Sequence, residues 1–304
     1  MEGRSLDFRF SMGIADNRSR LPWTVILALI IGVFALGFSG LFVKWAGAPG
    51  LVSSFYRMAI ATVVMAWPFF RQVRAKGGLP RRAVLTAVGG GIFFALDIGL
   101  WTTGIMVSGV TNPTILANTA PLWVGLGALF LFHQRPKPLF WVGVVLAVFG
   151  AGSILGLDSL KSANFGLGSL LGLAAGFFYG GYYLFTQSVR ASLDSLESFW
   201  IATASSTVVL FFSVLIFGQP LDGYAGMAWL NFVAAGLFSQ VAGYLAINYA
   251  LGYLPASIVA PTMLGQPVLT ALLAWPLLGE AIGGWQAFSG LIVLTGIYLV
   301  HRSR

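Results

Sequence analysis

The sequence predicts an all-α membrane protein in which ten transmembrane helices form two inverted five-helix repeats around a central cavity. Three observations predict this fold: a strongly apolar composition, ten apolar runs of membrane-spanning length, and an internal repeat of about 145 residues. Of the 304 residues, 58% are hydrophobic and 9% are charged, whereas soluble domains carry roughly 25% charged residues. Such a composition cannot form a water-exposed surface, so we expect the chain in a bilayer.

The composition also excludes several classes of function. The chain contains no cysteine, which excludes disulfides, thiolate nucleophiles and Cys-ligated metals. The formal net charge of +8 comes from basic residues in short loops that flank apolar runs, and membrane topology explains these better than nucleic-acid binding does. We therefore expect no metal, no cofactor and no nucleic-acid partner.

Apolar runs separated by charged residues or by proline and glycine predict the ten helices, because a helix needs about 20 apolar residues to cross a bilayer. Five lie in each half of the chain. Their predicted spans are Trp23–Trp45, Leu51–Phe70, Ala83–Ser108, Asn112–Phe132, Leu139–Gly156, Leu167–Val189, Phe199–Phe217, Trp229–Leu251, Ala256–Leu278 and Gly284–Val300.

The distribution of lysine and arginine predicts the orientation, because cytoplasmic loops hold an excess of positive charge. With both termini inside, 14 of the 17 basic residues fall on the cytoplasmic side, and the exceptions are Lys44, Arg57 and Lys161. Residues 1–22 carry four of those arginines and no apolar core of signal-peptide length, which predicts a cytoplasmic tail. We expect a multi-pass protein of the plasma membrane, the inner membrane of a bacterium.

An internal repeat appears when the chain is compared with itself at a shift of 144 to 147 residues. The aligned pairs are Gly32 with Gly176, Phe34 with Phe178, Phe55-Tyr56 with Phe199-Trp200, Gly91 with Gly236, Pro121 with Pro267, and Gly143 with Gly290. Because each unit has an odd number of helices, the second copy must be inverted in the membrane, as is typical of alternating-access carriers. The predicted repeats are residues 23–157 and 167–301, joined by a loop at 158–166.

Several short motifs carry a resemblance to a known family. They are Phe55-Tyr56-Arg57, Thr119-Ala120-Pro121, Gln266-Pro267, Leu278-Gly279-Glu280, and Gly290-Leu291-Ile292-Val293 up to Gly296. On these motifs, residues 23 to 300 resemble the drug/metabolite transporter superfamily, specifically its ten-helix EamA-like members. The first repeat departs from the pattern at His133-Gln134, where the second has Gly279-Glu280. The aromatic-rich helices look most like the YddG-type exporters of aromatic and other neutral amino acids, and this resemblance implies export through a central cavity.

Two predicted helices carry polar side chains at every fourth position, so that each set shares one helical face. The sets are Tyr179, Tyr183 and Gln187, and Gln240, Tyr244 and Asn248. Polar residues inside a bilayer are costly and usually face a cavity or another helix. Interhelical hydrogen bonding explains any single one of them equally well, but three in a row favour a cavity.

Asp97 and Trp101 lie four residues apart and therefore on one face of the third predicted helix. Asp97 is the only carboxylate predicted deep in the membrane, where it would neutralise a substrate's ammonium group or take a coupling proton. The alternative is an ion pair with Arg57, the only deeply placed cation. Arg57 could instead extend its guanidinium toward the outer surface.

Pro121 and Pro267 predict kinks at matching places, because each proline frees the carbonyl four residues earlier. The freed carbonyls would be those of Ala117 and Met263, and the polar neighbours are Thr114, Asn118, Thr262 and Gln266. Together they could meet the carboxylate or ammonium of a zwitterion, although hinge or packing prolines are equally compatible. The full set of predicted cavity residues is Phe38, Asp97, Trp101, Asn118, Tyr179, Tyr183, Gln240, Tyr244, Asn248 and Gln266.

An intramembrane serine protease is the rival from another class, because Gly37-Phe38-Ser39-Gly40 matches a GxSG motif. A nucleophilic serine needs a base within reach, and the two histidines are predicted at the inner surface. A carrier of nucleotide sugars or sugar phosphates would need several deep basic residues.

The predicted function is therefore that of a secondary transporter, not an enzyme. It would export small neutral metabolites, foremost aromatic and other apolar amino acids, with a carrier of drugs or nucleotide sugars as the alternative. Its predicted partners are a small-molecule substrate and the lipid bilayer, and we expect a monomer while the sequence leaves the oligomeric state open.

Overall fold

The computed structural model describes residues 22–108, 111–155, 166–278 and 283–303, and within these ranges the regular structure is helical. The helices of the first half are α1 (Trp23–Gly37), α2 (Ser39–Ala46), α3 (Gly50–Lys76), α4 (Arg81–Ser108), α5 (Thr111–Ala117), α6 (Ala120–Phe130) and α7 (Pro138–Leu155). Those of the second half are α8 (Leu167–Val189), α9 (Ser195–Ile216), α10 (Gly226–Ala234), a π-helix (Ala235–Tyr244), α11 (Leu245–Ala250), α12 (Ala256–Thr262), α13 (Gly265–Leu278) and α14 (Gly284–Arg302). Almost all of the predicted tail and connecting loop, and the motif residues Gly279-Glu280, lie outside the described residues.

Eight helical stretches among the described residues are long and apolar enough to cross a membrane. They are Trp23–Val43, Gly50–Lys76, Arg81–Gly104, Pro113–Phe130, Ser195–Ile216, Gly226–Ala250, Ala256–Leu273 and Gly284–Arg302. Pro138–Ile154 is a shorter apolar helix, and α8 is a helix of 23 residues that begins and ends where the sequence predicts. The chain is thus a multi-pass helical membrane protein.

Three of the predicted membrane spans are each divided into two helices in the structure. The first predicted helix is interrupted at Phe38, between α1 and α2. There the carbonyl of Gly37 accepts a hydrogen bond from the Thr270 hydroxyl at 2.9 Å, so a side chain of α13 competes with the helical ladder. The predicted membrane span is present as Trp23–Val43, and its interruption at Phe38 was not predicted because it depends on a contact between distant parts of the chain.

The other two interruptions lie beside the predicted prolines. Pro121 is close to the start of α6, and Pro267 is the third residue of α13. Since proline has no backbone N–H, a helix tolerates it best in its first turn. The carbonyl of Met263, however, is not free: it accepts a hydrogen bond from the backbone N–H of Gln266 at 3.0 Å, which corrects the expectation for that group.

Helices at matching positions of the two halves pack against each other. The self-matching pairs are α3 with α9 and α7 with α14, while α4 packs on α8 and α1 packs on the π-helix and α11. In the α7–α14 pair a Cβ atom added to Gly143 would lie 2.7 Å from the carbonyl oxygen of Gly296, so the two backbones touch. The glycines of α8 also permit close packing, because a Cβ atom at Gly172 would lie 2.5 Å from the Cα of Pro113.

A tight turn joins α3 to α4. Helix α3 ends at Lys76, and Gly77 and Gly78 follow with φ angles of 73° and 124°. Only glycine adopts these backbone conformations without strain. Helix α4 begins at Arg81, so the two helices form an antiparallel hairpin with a four-residue connection.

Candidate functional site

Five aromatic side chains from three helical segments form a group that we call the tyrosine cluster: Phe94, Tyr179, Tyr182, Tyr183 and Tyr244. All are buried except Tyr179, which is half-buried. The hydroxyl of Tyr179 lies 3.0 Å from that of Tyr183 and 3.3 Å from that of Tyr244. The ring of Phe94 stacks on Tyr182 with 4.5 Å between centroids, and its centroid is 4.8 Å from that of Tyr244. Because α4, α8 and the π-helix each contribute, the cluster joins the two halves of the chain.

Asn248 fixes one side of this cluster. Its amide nitrogen donates to the hydroxyl of Tyr182 at 3.1 Å and to the carbonyl of Tyr244 at 2.9 Å. Its amide oxygen accepts a hydrogen bond from the Ser198 hydroxyl at 3.0 Å. The side chain is buried, and this satisfied network connects α11 to α8 and α9.

Two opposite charges are buried beside the cluster. Asp97 is 7% exposed and Arg57 is 8% exposed, and the two interact electrostatically. The Nη1 of Arg57 donates to the Ser39 hydroxyl at 2.8 Å, while its Nε is buried and has no hydrogen-bond partner among the described residues. Neither charge forms a salt bridge within the described ranges, so the two groups influence each other without direct contact. Arg57 does not extend to the surface.

The carboxyl of Asp97 also interacts electrostatically with the hydroxyls of Tyr179, Tyr183 and Tyr244. Asp97 lies three residues after Phe94 on α4, which places both on the face that packs against the cluster. The structure therefore brings together four predicted site residues, Asp97, Tyr179, Tyr183 and Tyr244, with Asn248 as their support.

Phe38 belongs to a neighbouring aromatic group formed with Phe34, Phe42 and Phe238. Its ring centroid lies 5.2 Å from that of Phe34 and 5.5 Å from that of Phe238 on the π-helix. Phe38 is half-buried and directly precedes Ser39, the hydrogen-bond partner of the buried arginine. The group thus adjoins the two charges from the side of α1 and α2.

Three further predicted residues lie at other contacts. The indole N–H of Trp101 donates to the Thr114 hydroxyl at 3.0 Å, a contact between α4 and α5. Asn118 and Gln266 are half-buried at the two proline-associated interruptions, and their side chains form no hydrogen bond with the described residues. Their amides are therefore available to a ligand, and the structure shows no direct contact between them and the tyrosine cluster.

Of the two glutamines on the predicted helical faces, only Gln187 departs from its face. The Oε1 of Gln187 accepts the backbone N–H of Ala256 at 2.6 Å, so this side chain caps the first turn of α12 instead of facing a cavity. Gln240 is buried, and its Oε1 has no hydrogen-bond partner among the described residues. It lies in the π-helix, whose i→i+5 bonds put more residues in each turn than the predicted α-helix has, but residues four apart still lie near one face, so Gln240 and Tyr244 stay on the same side of the helix.

The structure adds functional candidates that the sequence analysis missed. Phe94, Tyr182 and Ser198 were outside the predicted faces, yet all contact the cluster or its support. Three aromatic side chains within five residues of α8, at positions 179 to 183, were the signal that could have indicated Tyr182. Nothing in the sequence indicated Ser198.

Two surface cavities lie away from this site. Their volumes are 390 Å³ and 330 Å³, and apolar side chains of the outer surface of the bundle line both. The residues of the tyrosine cluster line neither cavity.

The described residues thus form a multi-pass bundle that buries two opposite charges beside a hydroxyl network. Comparison with known proteins gives its family: the chain belongs to the EamA-like transporter family, whose model matches residues 23–156 and 166–302. It is therefore a member of the drug/metabolite transporter superfamily.

Relatives that are named as transporters agree with this class. The chain is 27% identical over 275 residues to the threonine/homoserine exporter RhtA of Salmonella typhimurium, with 88% of both chains covered. It is 27% identical over 221 residues to a probable amino-acid metabolite efflux pump of Escherichia coli, covering 68% of this chain and 70% of the relative. An uncharacterized transporter of Synechocystis is 28% identical over 217 residues, 70% of this chain, and the match spans 63% of that relative's length.

A solved crystal structure has the same fold. It superposes with a TM-score of 0.77 at 16% sequence identity and covers 91% of this chain and 97% of that chain. The serine-protease alternative concerned Ser39 and the histidines. In the present structure the Ser39 hydroxyl accepts a hydrogen bond from Arg57, and the Nε2 of His301 lies 2.9 Å from the Thr262 hydroxyl. The family is one of transporters, which agrees with the expectation that the chain is not an enzyme.

Proposed function

We propose that this protein exports zwitterionic amino acids with aromatic or apolar side chains across the bacterial inner membrane. The observation that carries the proposal is the pair of buried, separated charges next to the tyrosine cluster. An amino-acid zwitterion carries an ammonium group and a carboxylate on the same carbon atom, and the site offers one charge of the opposite sign to each of them. Aromatic rings beside them offer faces to an apolar side chain.

Asp97 binds the ammonium group of the substrate and Arg57 binds its carboxylate in this proposal. A buried charge is expensive unless it is paired and hydrogen-bonded. Arg57 has an unsatisfied Nε, and Asp97 has no hydrogen bond among the described residues, so both have free capacity. A substrate between them would supply the missing partners at both ends.

Alternating access of two inverted five-helix repeats is the mechanism that we propose. The family model matches the chain twice, once in each half, which supports a duplication. The helix pairing supports an inversion, because Gly91 of α4 touches α9 while its counterpart Gly236 of the π-helix touches α3. In this proposal both termini are cytoplasmic, and the tyrosine cluster separates to open a cavity during each cycle.

Proteoliposomes that contain the purified protein test this function. We expect saturable uptake of radiolabelled phenylalanine, and counterflow when unlabelled phenylalanine is preloaded, relative to liposomes without protein. Leucine and threonine as competitors would compare apolar with hydroxylated side chains. If none of the three amino acids gives saturable flux or counterflow, the proposed substrate class is wrong. Uptake with and without a pH gradient would then show whether protons drive the transport.

A further inference from the structure

A groove of 390 Å³ lies on the outer face of the bundle, with walls formed by α4 and α9. The two helices touch at Gly91, where an added Cβ atom would lie 2.2 Å from the carbonyl oxygen of Ala202. The hydroxyl of Ser206 donates to the carbonyl of Gly91 at 2.7 Å and ties the same contact. The groove therefore lies beside a close contact between α4 and α9, and its exposed wall residue Val208 opens it to the outside of the bundle.

The walls of the groove are apolar and firmly held. The indole of Trp200 stacks on Phe69 with 4.0 Å between centroids, and its N–H donates to the carbonyl of Thr62 at 2.9 Å. The Ser205 hydroxyl in the wall donates to the carbonyl of Ala202 at 3.0 Å. From Trp200 to Val208 the α9 wall runs along the helix for roughly 12 Å. A hydrocarbon chain fits such a surface without leaving a polar group unsatisfied.

One end of the groove reaches the turn between α3 and α4. Leu79 of this turn contributes to the lining. Three exposed basic side chains flank it, those of Arg74, Arg81 and Arg82. None of the three has an ion-pair partner within the described part of the chain, whereas Lys76 is held by two carboxylates at 2.9 Å and 2.7 Å. The apolar groove therefore ends next to three arginines that have no ion-pair partner within the described part of the chain.

We propose that this groove is a binding site for an anionic phospholipid of the bilayer. One acyl chain lies between α4 and α9 against Trp200, and the phosphate and headgroup lie at the turn beside Arg81 and Arg82. Arginine binds phosphate through parallel N–H groups, and basic residues near a bilayer surface attract anionic lipids. A zwitterionic lipid can fill the groove but gains less from the arginines, so lipid charge determines which lipid occupies the site.

Native mass spectrometry of the purified protein tests the proposal, with phosphatidylglycerol and phosphatidylcholine of equal chain length titrated separately. We expect phosphatidylglycerol to bind tighter to the unaltered protein. In the double variant R81Q/R82Q that preference should fall roughly tenfold to thirtyfold, the effect expected of two basic residues at a bilayer surface. The control R135Q/K137Q removes two positive charges from the loop between α6 and α7 and should keep the preference.

A groove-filling variant gives an independent measurement. Ala204 is half-buried in the α9 wall, and A204F would occupy the space of the acyl chain. We expect A204F to lose phosphatidylglycerol binding at least severalfold while its elution in size-exclusion chromatography stays unchanged. Equal binding of the two lipids to the unaltered protein would overturn the proposal. So would equal losses in the two double variants, or unchanged phosphatidylglycerol binding by a folded A204F.

Discussion

The two halves of the chain share their packing and differ in their chemistry. Gly91 in α4 and Gly236 in the π-helix occupy aligned positions, and each contacts a helix of the other half. Yet Asp97 aligns with Ala242 at the same shift of 145 residues, so the buried acid has an apolar counterpart. The two buried charges beside the tyrosine cluster, Arg57 and Asp97, both lie in the first half.

The second half supplies hydroxyl and amide groups instead. Tyr179, Tyr183, Tyr244 and Asn248 all come from it, and the hydroxyl counterpart of Tyr183 in the first half is Ser39, at a shift of 144 residues. A symmetric scaffold can move as two equal bodies, whereas a site with charge on one side and hydroxyls on the other can orient an asymmetric ligand. In the function proposed above, this difference between the halves is what would select the substrate.

The variant Asp97→Asn removes the charge asymmetry and should have the largest effect. The amide is nearly the same size but cannot neutralise an ammonium group, so we expect phenylalanine flux in proteoliposomes to fall at least about tenfold. Asp222→Asn is the matched control, because Asp222 is an exposed carboxylate. Unchanged flux in Asp97→Asn at equal folded yield would mean that the buried acid has no part in transport.

Glycine variants at the aligned contacts test the shared scaffold. In Gly91→Ala the new Cβ atom meets a backbone carbonyl carbon at 2.9 Å and its oxygen at 2.2 Å, whereas in Gly236→Ala it meets the side chain of Ile60 at 2.8 Å. The contact at Gly91 is the closer of the two and involves the backbone of the facing helix, so Gly91→Ala should destabilise the protein by about 1–3 kcal/mol and Gly236→Ala by less. Midpoints of thermal unfolding in one detergent measure the difference. Equal midpoints would indicate that α4 and α9 separate easily.

Helices α3 and α9 are joined by charged groups at one end and by an uncharged hydrogen bond at the other. Acidification should therefore weaken the first end and leave the second unchanged. At one end Asp194 accepts hydrogen bonds from Lys76 at 2.9 Å and from the backbone N–H of Glu197 at 3.1 Å, while at the other end the Tyr56 hydroxyl donates to the carbonyl of Leu221. Partial burial raises the pKa of the Asp194 carboxyl, but the hydrogen bonds from Lys76 and the backbone outweigh it, and the net pKa lies below the usual value.

The stability that this lowered pKa provides is present above the ordinary aspartate pKa of about 3.9 and is lost as the pH falls through the lower value of the folded state. We expect acidification from pH 7 toward pH 3 to reduce stability more in the unaltered protein than in Asp194→Asn. The difference should stay below about 1 kcal/mol, because Asp194 is 41% exposed. Parallel midpoints of the two proteins across this range would contradict the assignment.

The sequence predicted helix positions well where composition alone determines them. Helix α8 has the predicted bounds because Gly166 precedes its apolar run and Arg190 ends it. The interruption at Phe38 could not be predicted, since the Thr270 hydroxyl that bonds Gly37 comes from a distant part of the chain. The π-helix could not be predicted, because residues four apart lie near one face in both kinds of helix and the spacing of Gln240 and Tyr244 does not distinguish them.

The candidate site was predicted only in part, because the sequence gives the spacing along a helix and not the contacts between helices. Periodicity indicated Tyr179, Tyr183 and Tyr244, because their helical faces follow from spacing. It could not show that Gln187 caps another helix, which depends on where Ala256 lies in space. Nor could it show that Asp97 and Arg57 lie close without forming a salt bridge, because such a separation is set by the packing of whole helices.

The turn at Gly77 and Gly78 has a consequence for how the chain enters the bilayer during synthesis. Arg57 lies roughly 28 Å before the turn along α3, and Asp97 lies roughly 24 Å after it along α4. Each charge alone adds about 2.5–3.5 kcal/mol to the free energy of inserting its helix. A hairpin that enters as one unit brings opposite charges to similar depth at the same moment, so each lowers the barrier for the other. Lengthening this turn would let α3 enter first, with its arginine unaccompanied.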